Sequence, residues 1–159
     1  MHRTVCLALA AAAWGVFACG GEAQEHEPLI SGTVTGEFEG ASFTIEEGIA
    51  KDRSETNKLI VLGTDAINCG TPDQQDPPTG YFASIGLESF DVGTYSNVPI
   101  AVFENHGSFS GTGGNGGTVE ISVSTTDVIA GTVAYSYTDS ETGDSYRLDG
   151  TFEVLRCAE

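Results

Sequence analysis

From Ile30 onward, apolar and small residues recur at every second position. Ile30, Gly32, Val34, Gly36 and Phe38 alternate with Ser31, Thr33, Thr35, Glu37 and Glu39, which is the period of a strand that buries one face. Gly40 and Ala41 permit a turn. Phe43 and Ile45 then carry the pattern into a second strand that fades near Asp52. Residues 51–57 are polar and charged, a loop by composition. Leu59, Ile60, Val61 and Leu62 are apolar at consecutive positions, as in a central strand or one buried on both faces. Residues 68–79 hold Cys69, Gly70, Pro72, Asp73, Asp76, Pro77 and Pro78 and read as a long loop.

Tyr81, Ala83, Ile85 and Leu87 mark a further strand, and Val98, Ile100 and Val102 another. The segment from Gly111 to Gly117 reads as a glycine-rich hairpin loop leading into Val119, Ile121 and Val123. Two clear strands end the chain: Ile129, Gly131, Val133, Tyr135 and Tyr137, then Tyr146, Leu148, Gly150, Phe152 and Val154. No stretch after Cys19 repeats apolar residues at i, i+3, i+4, i+7 for long enough to make a helix. About eight strands separated by turn residues predict an all-β domain, an antiparallel β-sandwich or barrel. Gly32, Gly36, Gly131 and Gly150 fall on the inward register, where a missing side chain permits sharp strand bending. Sandwich and barrel both stay open on this pattern.

The start of the chain has a different pattern. His2 and Arg3 precede an unbroken apolar stretch from Val5 to Phe17, followed by small Ala18, the layout of a secretory signal peptide. The stretch is shorter than the roughly 18 residues of a membrane-spanning helix, so cleavage is expected. Val16, Phe17, Ala18 and Cys19 resemble the lipobox of bacterial lipoproteins, with Phe17 an unusual occupant of the tolerant position. The resemblance implies that Cys19 receives a diacylglycerol and, as the new N-terminus, a palmitate-type acyl chain. Two or more chains anchor stably, because each buried CH₂ contributes about 0.8 kcal/mol. Residues 20–28, Gly-Gly-Glu-Ala-Gln-Glu-His-Glu-Pro, offer nothing to pack and read as a tether. The expected organisation is therefore a signal peptide at 1–18, a flexible acidic tether at 19–29 and a β domain at 30–159. Gly20 is not the aspartate that retains some lipoproteins in the inner membrane, which favours the outer one. The later residues resemble, in pattern alone, the small β-rich lipoproteins of unknown function found in Gram-negative bacteria.

Composition narrows the range of partners. The 23 Asp and Glu outweigh 6 Lys and Arg, and losing Arg3 with the leader takes the formal charge from -17 to -18. Such a surface repels phosphate backbones and anionic head groups, so nucleic acid is not an expected partner and membrane association is assigned to the lipid. Twenty-one glycines, well above the usual share of about 7%, imply many turns or bent strands. Of the four cysteines, Cys6 leaves with the leader and Cys19 takes lipid. Cys69 and Cys157 are then expected to form a disulfide in an oxidising compartment.

Residues arranged for chemistry are few. His26 lies in the tether, and His106 in Asn105-His106-Gly107 reads as a turn residue; no Gly-x-Ser-x-Gly elbow frames a serine. The glycines of 111–117 lack the Lys-Ser/Thr pair and the helix that a phosphate site needs. Asp139, Glu141 and Asp144 around Gly143 loosely resemble a Ca²⁺ loop, but their spacing fits a solvated hairpin turn better. No metal or cofactor is therefore assigned. The expected role is a membrane-tethered envelope module, non-enzymatic, for binding or structure. The alternative is an envelope glycan hydrolase using carboxylates, motivated by acid abundance alone.

Overall fold

The computed structural model describes residues 31–69 and 78–157. The leader, Cys19, the tether and residues 70–77 of the Pro-rich loop lie outside them. The described chain forms β1 (Ser31–Phe38), β2 (Ala41–Thr44), β3 (Glu47–Ser54), β4 (Asn57–Gly63), β5 (Gly80–Leu87), β6 (Gly93–Asn105), β7 (Phe109–Ser124), β8 (Val128–Thr138) and β9 (Ser145–Arg156). The domain is all-β, and of the two expected architectures it adopts the barrel. β3 to β9 close a seven-stranded ring, and β1 and β2 are added to it.

Neighbours run antiparallel except at closure, where β3 and β9 pair in parallel through Ile49↔Leu155 and Ala50↔Arg156. A ring with an odd number of strands cannot alternate direction throughout, so one parallel pair is required. β8 occupies one edge of β9 along its whole length, from Thr138↔Ser145 to Val128↔Leu155. The other edge is shared: β1 takes residues 146–153 and β3 only the last two. The β1–β2 hairpin therefore fills the wall where β9 and β3 diverge. Its two-residue turn places Glu39 (φ 51°) and Gly40 (φ 83°) in the left-handed region, as a tight hairpin with native strand twist demands.

The ring's interior is packed with side chains. Ile60, Leu62, Ile85, Ile100, Val102, Ile121, Ile129, Leu148, Phe152 and Val154 are all buried within one continuous core. A barrel of about eight strands is just wide enough for its own side chains to fill, and seven leave less room still. Each such large apolar side chain stabilises the fold by roughly 1.5–3 kcal/mol. The apolar run in β4 is buried on both faces as its pattern predicts. Ile60 and Leu62 point into the barrel, while Val61 joins Ile49, Ile67, Cys69 and Cys157 in a second cluster outside it.

Several elements depart from the sequence reading. The strand expected to run from Phe43 towards Asp52 is two strands, β2 and β3. Residues 51–57 are not a loop: β3 continues to Ser54 and β4 starts at Asn57. Their charge is compatible with strand because Asp52 is held by Lys58 and Arg156. Val123 does not continue the inward face, since a register shift between Ile121 and Val123 turns it out to 43% exposure. The largest correction is at Gly111–Gly117, which lies within the 16-residue β7 and not in a loop. Those glycines are strand because larger neighbours lie over them. A Cβ on Gly111 would meet the Phe103 ring at 2.1 Å, and one on Gly117 would meet Ile100 at 2.4 Å.

Candidate functional site

The two ends of the barrel carry different chemistry. At the closing end, Arg156 ties together segments that are remote in sequence. Its Nε donates to Asp52 Oδ2 at 2.7 Å, its Nη1 to the Thr125 carbonyl at 3.0 Å and its backbone amide to the Asp127 carbonyl at 2.8 Å. The guanidinium carbon lies 5.5 Å from the centre of the Phe90 ring, a cation–π contact. Lys58 Nζ sits 2.5 Å from Asp52 Oδ1 and also donates to the Ser54 carbonyl at 2.8 Å. The Arg156 hydrogen bond, with help from Lys58, outweighs burial and holds the Asp52 carboxyl below its ordinary pKa. One residue on, Cys157 donates its amide to the Ala50 carbonyl at 2.8 Å and is disulfide-bonded to Cys69. This end is a structural clamp.

The opposite end is a mouth where the β1–β2, β6–β7 and β8–β9 hairpins meet aromatic rings and carboxylates. Tyr81 stacks on Phe43 with centroids 4.9 Å apart, touches Phe38, and meets the His106 ring edge-on at 5.2 Å. Tyr146 packs edge-on against Phe38 at 5.2 Å and stacks near Tyr137 at 6.0 Å. Ser145 Oγ donates to Glu37, and Tyr146 Oη reaches Glu39 Oε1 at 3.5 Å. Desolvation raises the Tyr81 and Tyr146 pKa values, helped by Glu104 and Glu39 for the first and by Glu39, Asp144 and Asp139 for the second. Both phenols therefore stay protonated and act as donors to an acidic rim.

Cys69 and Cys157 are brought together, while Cys19 lies outside the described residues. His106 sits in the β6–β7 turn, exposed and 3.9 Å from Glu104 Oε1. Asp139 uses its carboxylate locally: Oδ1 accepts the amides of Glu141 at 2.7 Å and Thr142 at 3.2 Å. That is the bonding of a hairpin turn, and it occupies a carboxylate oxygen that a cation would need. A shallow depression beside β1 and β2 is lined by Thr35, Gly36, Glu37, Ser42, Phe43, Thr44 and Arg147. It carries one carboxylate, Glu37, and so does not assemble the pair that glycoside hydrolysis uses.

A feature the sequence reading missed lies in the wall between β7 and β8. Their ladder ends at Thr118↔Ala134, although β7 extends back to Phe109 and β8 on to Thr138. Two offset bulges bend the β6–β7 ribbon at this point. Asn97 (φ 58°) is extra on β6, and Gly116 (φ 139°) is extra on β7. Beside the resulting wedge, Tyr135 joins the barrel core at 5% exposure, and its hydroxyl has no hydrogen-bond partner among the described residues. The nearest atom to a Cβ built on Gly114 would be that hydroxyl, 3.8 Å away. The signal was present in Asn97-Val98-Pro99 and in the glycines of 111–117, which read as loop punctuation. Comparison with protein-family models, curated proteins and solved structures found no match to the chain.

Proposed function

We propose that the protein is an exported lipoprotein, anchored through Cys19 in the outer membrane of the cell envelope, whose acidic barrel is a non-enzymatic binding module. The filled barrel carries this reading. With Ile60, Leu62, Ile100, Ile121, Leu148 and Phe152 occupying the interior, recognition is left to the outer wall and the rim. The rim's carboxylates Glu37 and Glu39 are engaged by Ser145 and Tyr146, which suits a fixed surface better than proton transfer to a substrate.

The lipobox and the polar run after it support the anchor. An acidic domain has no electrostatic affinity for anionic head groups, so the acyl chains supply the attachment. Fractionation of cells expressing the full chain and Cys19→Ala tests this. The parent should pellet with membranes through a high-salt wash, and the variant should appear in the soluble exported fraction. A variant that stays with washed membranes overturns the anchor.

A further inference from the structure

We propose that the wedge between β7 and β8 accepts an extended, cationic peptide segment, which adds a strand to the free edge of β7. The proposal deepens the reading of the domain as a binding module and does not depend on the lipid anchor.

The barrel wall diverges in two places. Between β9 and β3 the chain supplies its own filling, the β1–β2 hairpin, which pairs with β9 along β1. Between β7 and β8 it supplies none among the described residues. Residues 109–117 of β7 are paired to β6 on one side alone, and residues 135–138 of β8 to β9 on one side alone. An unpaired stretch of this length presents a row of backbone donors and acceptors, the template on which strand addition works. Its glycines make close approach easy. Gly113, Gly114 and Gly116 are exposed and put no side chain between an incoming backbone and their own.

A second, independent observation points the same way. Tyr135 carries a buried hydroxyl, without a hydrogen-bond partner among the described residues, that reaches to 3.8 Å from where a Cβ on Gly114 would stand across the wedge. Buried polar atoms are normally bonded, and an arriving strand would bring a carbonyl or amide to this one. Charge selects the occupant. The β6–β8 wall, residues 93–138, contains no Lys or Arg, and the wedge is flanked by Glu104 opposite Ser110 and by Asp139, Glu141 and Asp144 beyond Thr138. Arg147 lies nearby, opposite Ser136, but is paired to Asp149 at 3.6 Å. A second copy of the chain, also at -17, would be repelled, as would the acidic residues 20–28; a lysine-bearing strand would be attracted.

The test uses the full-length protein in detergent and a fluorescent peptide of about ten residues alternating lysine with valine, a strand's length and period. Its glutamate–valine counterpart is the control. Anisotropy should show binding of the lysine peptide alone, weakening with salt. Amide hydrogen exchange should slow at residues 109–117 when it is added. Gly114→Val, whose Cβ meets nothing closer than 3.8 Å and whose methyls would crowd the wedge, should weaken binding at least about tenfold while circular dichroism shows the same strand signal. Tyr135→Phe should weaken it by a smaller factor. Equal binding of the acidic peptide, protection elsewhere, equal affinity in Gly114→Val, or concentration-dependent dimerisation through this edge would each overturn the proposal. So would no binding at all. Because the peptide assay does not depend on the anchor, a negative result leaves the Cys19 fractionation standing, and the reverse also holds.

Discussion

Arg156 Nε donates to Asp52 Oδ2 across a sequence separation of 104 residues, at the point where β9 meets β3 and the ring closes. The closure has just two paired residues on each strand, so its backbone ladder is too short to hold the barrel unaided. Side chains complete it. Arg156 reaches the β7–β8 turn through Thr125 and Asp127, Lys58 closes on Asp52 from β4, and the Cys69–Cys157 disulfide lies one residue beyond.

Asp52→Asn is expected to lower stability at pH 7 by about 1.5–3 kcal/mol, the usual worth of hydrogen bonds to charged groups. The pH dependence follows from the depressed pKa of Asp52. Its contribution is complete above the unfolded carboxylate range near pH 4 and is lost as pH falls through the lower folded value. The gap between wild type and Asp52→Asn, read from urea unfolding, should therefore narrow from pH 7 to pH 3. Comparing the pair cancels the other carboxylates, whose mutual repulsion in a -17 chain also changes with pH. A gap that is constant or grows on acidification would refute the clamp.

Reducing Cys69–Cys157 should lower the melting temperature while leaving the strand signal in circular dichroism unchanged. The bond closes a loop of 88 residues, for which the chain-entropy model gives about 4 to 5 kcal/mol. Val61, Ile49 and Ile67 pack around the bridge, so local structure should survive its loss. Free thiols at Cys69 and Cys157 in the unreduced, denatured protein, located by peptide mapping, would contradict the pairing.

The all-β class and most strands were legible because burial largely alternates where the residues alternate; in β5, Ala83, Ile85 and Leu87 are buried while Ser84 and Gly86 between them are less so, and Phe82, buried outside the barrel face, breaks the pattern. The barrel was not legible, since closure depends on two residue pairs and on Arg156, whose role local periodicity does not encode. Glycine misled most. At 111–117 it read as a loop, but there it makes space for Phe103 and Ile100 to lie on the strand. The clamp was hidden for a similar reason: Asp52 and Lys58 are charged, and charge was read as loop. Cys69 and Cys157 were legible by counting alone.

Tyr135→Phe should stabilise the protein by up to about 1 kcal/mol. Removing a buried hydroxyl that has no partner among the described residues relieves a desolvation cost and takes away no hydrogen bond. Burial first, and then Tyr137, also pushes the Tyr135 pKa up, so the group stays neutral through the physiological range. Urea unfolding decides it, and a loss above about 1 kcal/mol would show that the hydroxyl is satisfied in solution.

Glycine substitutions on β7 and β8 should separate sharply by what each new Cβ meets. At Gly131, on the inward face of β8 opposite Ile121, a Cβ would stand 1.8 Å from the Glu120 carbonyl oxygen, a backbone atom that cannot swing aside. Gly131→Ala must therefore push β7 and β8 apart in the middle of their ladder. The expected cost is about 3 kcal/mol, the upper end for overpacking a core. At Gly114 the nearest atom to a new Cβ is 3.8 Å away, an ordinary van der Waals contact, so Gly114→Ala should change stability by no more than about 0.5 kcal/mol. Both positions are glycine in the same sheet, and intrinsic strand preference treats them alike. A difference in melting temperature between the two variants thus reports on strand proximity. Equal values would mean that β7 and β8 approach no more closely at Gly131 than they do across the wedge.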